Sequence, residues 1–269
     1  QRLLAYGMLL AVGIVLLAPF AWLLSTALKS ESADLFVYPP QWLPDPIVWG
    51  NFAKAWNILD FPRLAFNTFF IAICTVAINL FFCSLAGYAL ARMRFAGRQA
   101  IMFAVLATAM VPAQVLLIPM FVVTLRLGLV DTYGGVILPM AVNAFGIFLM
   151  RQAFSTIPID IEDAARIDGC GDFDVYSRVM IPLVAPAMAT LAAFTFVAQW
   201  NDFLWPLVVL KSRELYTLQL GLASLQGVFG VNWRYISAAS IIALVPTLIF
   251  FLIAQRFFTQ GLTSGAVKE

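Results

Sequence analysis

The chain has 269 residues, 62% of them apolar and 11% charged, with a net charge of +2. Soluble domains run about 45–50% apolar and about 25% charged, so a core surrounded by water cannot hide this much apolar surface and lipid must be the main solvent. No run of Lys and Arg points to nucleic acid, and the absence of His removes the commonest general base and metal ligand. Cys74 and Cys83 share one apolar run and Cys170 lies elsewhere. That spacing suits neither a zinc site nor a disulfide framework, and the three read as small packing residues.

A membrane helix needs about 20 residues almost free of charge. In chain order such stretches fall at about 3–28, 65–91, 99–125, 132–151, 182–209 and 235–256. The sequence opens on Gln1, so an initiator Met is expected to be missing. Residues 3–28 are too long for a signal-peptide core and lack a small-residue cleavage site, so they read as a retained first helix. Residues 29–64 form a long outer loop stiffened by Pro39, Pro40, Pro44 and Pro46 and carrying Trp42, Trp49 and Trp56. Composition leaves open whether it docks an external partner or caps the headgroups.

Residues 211–234 hold Gln219, Gln226, Asn232, Gly221, Gly227 and Gly230 and read as an interfacial helix and loop rather than a seventh span. Pro112, Pro119, Pro139, Pro206 and Pro246 fall in or near spans and would kink them. Kinked helices suit a bundle around a pathway, and equally the general abundance of Pro in membrane helices.

Arg92, Arg94 and Arg98 place three positive charges within seven residues. Short loops rich in Lys and Arg face the cytoplasm, so both termini and the loop 152–181 are expected inside. The resulting fold class is an all-α polytopic membrane protein of a single domain, with six transmembrane helices, a cytoplasmic helical loop between helices 4 and 5, and a cytoplasmic tail 257–269.

That loop contains Ser155-Thr-Ile-Pro-Ile-Asp-Ile-Glu-Asp-Ala-Ala-Arg-Ile-Asp-Gly169. Thr156 is a candidate N-cap, Pro158 fits a first turn, and Asp160, Glu162 and Asp163 complement the helix dipole. Ala164 and Ala165 favour helix, and Gly169 suits a left-handed stop. A short, slim, acidic helix is predicted, with a second helical stretch over 173–180 before Pro182 opens the fifth span. Such a helix can enter a groove on another protein, its acids meeting Arg or Lys there. The alternative is a helix lying on the membrane surface, where Lys and Arg would be expected instead.

Asp163-Ala164-Ala165, then Gly169, then Val179-Met-Ile181-Pro182 resembles the EAA motif of ATP-binding-cassette importer permeases, with Asp for Glu, Val for Ile and Ile for Leu. Trp200-Asn-Asp-Phe-Leu-Trp-Pro-Leu207, Tyr38-Pro-Pro-Gln-Trp-Leu-Pro44 and the tail 261–268 are similar to carbohydrate permeases of the maltose MalG type. The resemblance implies a non-catalytic permease subunit of a binding-protein-dependent sugar importer. Its implied partners are a second permease in a heterodimer, two copies of an ATP-binding subunit, an external substrate-binding protein and the lipid bilayer. It also implies a coupling loop in which Glu162, Asp163, Ala164, Ala165, Asp168 and Gly169 meet the ATPase, and a tail contact through Thr263, Ser264, Gly265 and Lys268.

The chain has no Gly-x-x-x-x-Gly-Lys-Ser/Thr phosphate loop, so ATP and Mg are expected on the partner ATPase, with no cofactor or metal on this chain. Asn67, Asn79, Gln114, Asn143, Gln199 and Asn201 are uncharged polar groups within spans. They can serve the pathway or bond helix to helix. The cluster Gln199, Trp200, Asn201 and Asp202, with Asn143, is the candidate substrate pathway, with Trp200 stacking on a sugar face. An ion-coupled secondary transporter would need ionisable groups near the bilayer midplane, and Asp202 is placed toward the outer side. A glycerol-3-phosphate-like or other small polar solute stays open beside sugars.

Overall fold

The computed structural model describes residues 2–226 and 232–263. Among them every regular element is helical: α1 (Arg2–Leu28), α2 (Gly50–Ile58), α3 (Phe61–Arg92), α4 (Arg98–Ala109), α5 (Ala113–Arg126), α6 (Tyr133–Met140), α7 (Ala144–Ser155) and α8 (Ile159–Ile167). α9 (Asp172–Asp174) runs through a π-helical stretch, Val175–Met180, into α10 (Ile181–Leu183). α11 (Ala185–Trp200), α12 (Leu204–Val209), α13 (Leu218–Ser224) and α14 (Trp233–Thr263) follow, with a 3-10 turn at Arg213–Leu215.

Among the described residues three helices are long and apolar enough to cross a bilayer unbroken: 4–28, 61–92 and 233–250. Three further spans are bent pairs, α4 with α5 at 104°, α6 with α7 at 47°, and Asp172–Leu183 with α11 at 76°. Counting each pair as one span gives six. The bends have local causes. Pro112 has no N–H and sits extended at φ −58, ψ 133 before α5. Asn143 is extended at φ −138, ψ 157, and its Oδ1 accepts the Gly146 amide at 2.7 Å to start α7. Val184 leaves helical geometry at φ −95, ψ 9, just ahead of Pro186. Pro119, Pro139 and Pro246, by contrast, lie inside α5, α6 and α14.

A break in a bilayer frees carbonyls that water cannot reach, so neighbouring helices must supply donors. At the α6–α7 break α3 does so. Asn79 Nδ2 donates to Ala141 O at 3.0 Å and the Cys83 thiol points at Asn143 O, while Thr195 of α11 donates to Asn79 Oδ1. α3 reaches α7 closely because Gly87 and Gly146 lack side chains. A Cβ on Gly87 would stand 2.6 Å from Met150 Cβ, and one on Gly146 2.8 Å from Cys83 Sγ.

The chain forms two compact units, residues 1–65 with 218–249, and residues 66–217 with 250–269. In the first, Asn51 Nδ2 donates to Ala27 O and Lys29 O, tying α2 to the end of α1. Trp22 meets Trp42 edge-on at 5.2 Å, and Lys54 pairs with Glu31 at 2.9 Å. These contacts, not proline stiffness alone, organise the Trp-rich loop. In the second, Met150, Phe154, Val175, Tyr176 and Met180 pack with Tyr88 of α3 into a buried cluster.

Also in the second unit, Asn67 is spent wholly on the fold. Its Nδ2 donates to Glu214 O and Tyr216 O, and its Oδ1 accepts the Tyr133 hydroxyl at 2.7 Å. Nearby, Asp131 takes φ +61 and its carboxylate accepts the amides of Lys211 and Ser212 and the Ser212 hydroxyl. Those donors, the Ser212 hydroxyl first, hold its pKa below the ordinary 3.8.

Two outcomes are expected. Gly87→Ala should cost about 2 kcal/mol by forcing α3 off α7, read as a lower unfolding midpoint in detergent. A carboxylate with a depressed folded-state pKa stabilises fully above its unfolded pKa and loses that contribution as pH falls through the folded value. Asn tolerates positive φ, so Asp131→Asn keeps the backbone and one acceptor oxygen while removing the charge and the second acceptor. Its midpoint should lie below wild type at pH 7, and the gap should close as pH falls below 3.8.

Candidate functional site

α8 is built by the rules its sequence announces at its end and by a different rule at its start. Gly169 takes φ +88, its amide bonds Arg166 O, and the Cys170 amide bonds Ala165 O, which closes a Schellman stop. At the start, Thr156 is not the N-cap. It ends α7, with its hydroxyl donating to Ala153 O at 2.8 Å, and α8 opens after extended Pro158 without a side-chain cap. Pro at that position withholds a donor that would have stayed unpaired anyway.

The inner face of α8 is anchored by Glu162, 1% exposed. Its Oε1 lies 3.0 Å from Arg92 Nε at the end of α3. Neither atom makes an aligned hydrogen bond, so the contact is an ion pair without a directed bond. The Arg92 guanidinium also donates to Phe154 O at 2.6 Å and to Ile157 O. One side chain thus ties α3, the end of α7 and α8. Ala165, 9% exposed, lets α8 sit against the buried cluster below Phe154 and Val175. Within this chain Glu162 is not the outward acidic contact that its place beside Asp163 suggests. A helix can present only one stripe to solvent, and the Arg92 pair claims this one.

The outer face is different. Asp160, Asp163, Ala164, Asp168 and Gly169 are exposed, and Ile167 stands 86% exposed beside them. Arg166 holds this edge together, 4.0 Å from Asp163 and 3.3 Å from Asp172. The result is a slim acidic ridge with one bare aliphatic side chain, backed by buried structure.

The candidate pathway residues divide. Trp200 is 3% exposed and stacks on Phe196 at 5.6 Å, so its ring face is covered and cannot lie against a sugar in this conformation. Asn201 Nδ2 donates to Val197 O at 2.8 Å in its own helix, and Asp202 accepts the Trp205 amide at the start of α12. Asn143 is exposed, its Oδ1 used by Gly146. Gln199 Oε1 and Trp200 Nε1 are buried without a hydrogen-bond partner. Of the tail, Ser264, Gly265 and Lys268 lie outside the described residues, and Thr263 is described only as the last residue of α14. Among the described residues no group of His, Cys, Asp and Glu could hold a metal. The sequence reading used Arg92 only for orientation. Its position as the last residue of a span, with a short helix folding back beneath it, was the available signal for a buried partner.

A family model described as "Binding-protein-dependent transport system inner membrane component" matches residues 82–264. The arabinooligosaccharides transport system permease protein AraQ of Bacillus subtilis (strain 168) is 42% identical over 203 residues, 76% of this chain and 72% of that one. The sulfoquinovosyl glycerol transport system permease protein SmoH of Agrobacterium fabrum is 34% identical over 269 residues, 99% and 93% of the two chains. A crystal structure of a bacterial ABC transporter involved in the import of the acidic polysaccharide alginate contains a chain with a TM-score of 0.83 and 27% identity, each chain 96% covered.

Removing one partner of a buried ion pair strands the other, whereas replacing both with apolar groups does not. Arg92→Met or Glu162→Leu alone should therefore cost about 3–5 kcal/mol. The double variant should cost less than the sum, read as unfolding midpoints across a double-mutant cycle.

Proposed function

We propose a specific role for this chain, which belongs to the binding-protein-dependent transport system inner membrane components: it is one permease half of an ATP-driven sugar importer, moved through α8. The observation that carries the reading is the two-sidedness of α8, fixed by Arg92 on one face and bare at Asp163, Ala164 and Ile167 on the other. A helix free on both faces would swivel under load, and one buried on both could meet no partner. The bare ridge suits a groove on an ATPase subunit, with basic side chains there meeting Asp163 and Asp168.

In this reading ATP and Mg bind the partner, since this chain carries no phosphate loop. Two ATPase copies engage α8 and its counterpart on a second permease, while an external binding protein delivers solute. Closure of the ATPases carries α8 with them. Arg92 passes the displacement to α3 and the end of α7 as a rigid unit, and the bent spans rearrange to expose the pathway on the other side. The dense arginines at 92–98 orient α8 and both termini toward the cytoplasm.

The names of AraQ and SmoH support a carbohydrate or glycoside as solute. Gln199 and Trp200 retain unpaired polar atoms that a sugar hydroxyl could satisfy once the helices rearrange, with Asn143 and Asn201 the exposed polar groups of the set. The tail from Thr263 onward is a further ATPase contact in this scheme.

Asp163→Arg combined with Ala164→Trp changes the exposed ridge and leaves Arg92 and Glu162 alone. Charge-assisted contacts of this kind are worth about 10- to 100-fold in affinity. The variant should lose ATPase copurification and sugar uptake by at least about tenfold while keeping its unfolding midpoint. Unchanged copurification and uptake would overturn the reading.

A further inference from the structure

Beyond α8, the turn joining α3 to α4 holds a second built feature. A cavity of about 640 Å³ opens there, lined by Arg98, Arg151 and Gln99 together with the apolar side chains of Phe95, Phe103 and Leu106. Two of the arginines in this region are fixed in place by backbone carbonyls. Arg98 donates to Ala91 O at 3.0 Å and to Met93 O at 3.3 Å, and Arg151 Nε donates to Leu90 O at 3.4 Å. Each guanidinium has five N–H donors, so both keep capacity to spare. Arg92 is committed to Glu162, but among the described residues neither Arg98 nor Arg151 has a carboxylate within ion-pair distance. Two unneutralised cations lining one cavity repel each other until an anion enters between them.

Three properties select the anion. The guanidinium fork matches phosphate oxygens in geometry. α4 begins at the cavity after Gly97, at φ +82 and without a side-chain cap, so its first amides add donors and positive dipole to the arginines. Phe95, Phe103 and Leu106 add hydrocarbon to the lining, with Phe103 76% exposed, and such a surface would serve no purpose for a hydrated inorganic ion. The turn also joins the end of α3, long and apolar enough to cross a bilayer, to the start of the bent pair α4–α5, and a basic turn at such a junction belongs with headgroups rather than acyl chains. We propose that this cavity binds the phosphate headgroup of an anionic phospholipid, with Arg98 and Arg151 on the phosphate and Phe103 and Leu106 along the first part of an acyl chain. Basic pockets between membrane helices recognise anionic headgroups by this chemistry. The inference needs only that the chain is a membrane permease, and it stands apart from the solute and from the ATPase contact.

The test is native mass spectrometry of the full chain, purified with its copurifying subunits and titrated with phosphatidylglycerol or phosphatidylcholine of identical acyl chains. Phosphatidylglycerol should be retained at least about tenfold more strongly. The double variant Arg98→Gln, Arg151→Gln should weaken that retention about 25-fold, at about fivefold per arginine. Because Arg98 also braces the turn, Ala100→Glu provides a second route. It places a carboxylate at the cavity, leaves the arginine–carbonyl bonds intact, and should weaken retention about tenfold. Arg126→Gln, at the exposed end of α5, should change nothing. Equal retention of the two lipids, unchanged retention in Ala100→Glu, or an equal loss in Arg126→Gln would overturn the proposal. Displacement of the lipid by excess inorganic phosphate alone would overturn the lipid assignment in favour of a free-anion site.

Discussion

Arg92 is the residue on which the arrangement beneath the membrane depends. It closes the longest described span inside the protein, α3, and turns its guanidinium toward Glu162, Phe154 O and Ile157 O. The carbonyls lie 62 and 65 positions away in sequence. Without this convergence α8 would hang from the end of α7 on a short linker, free to choose its own face. With it, the helix is oriented by a charge that costs several kcal/mol to strand, and the choice of face follows. The acids left outside, Asp163 and Asp168, are available because Glu162 is not.

The same economy of polar groups runs through the spans. Three of the six are broken, and a bilayer makes an unpaired carbonyl expensive. α3 repairs the α6–α7 break with Asn79 and Cys83, and it can approach closely enough only because Gly87 and Gly146 have no side chains. Asn67 performs the corresponding service for the segment at Glu214 and Tyr216. Polar residues that look like pathway ligands in a linear reading are, at these two positions, structural donors. Gln199 and Trp200 differ in that the described structure leaves a polar atom on each unpaired.

Legibility followed distance along the chain. Six apolar stretches, the Schellman stop at Gly169 and the motif running to Pro182 depend on residues within a turn or a span of each other, and each could be read directly. Thr156 shows the limit even at short range. The hydroxyl had two nearby backbone partners to choose from, a forward amide and the Ala153 carbonyl behind it, and the way α7 ends against the Phe154 cluster decided in favour of the latter. The break at Val184 was likewise hidden, because Pro182 looks like a helix start and the bend falls only beyond it.

By itself, then, the sequence determined the solvent, the helical class, the number of apolar stretches and the slim acidic helix with its family motif. All of these are properties of composition and short-range pattern. Only the tertiary structure decided that Glu162 is buried against Arg92, that Trp200 is covered by Phe196, and that Arg98 and Arg151 share a cavity without a carboxylate. The physical reason is common to the three. Whether a charged or polar side chain is free or spent depends on what stands opposite it, and that group usually belongs to a distant stretch of the chain.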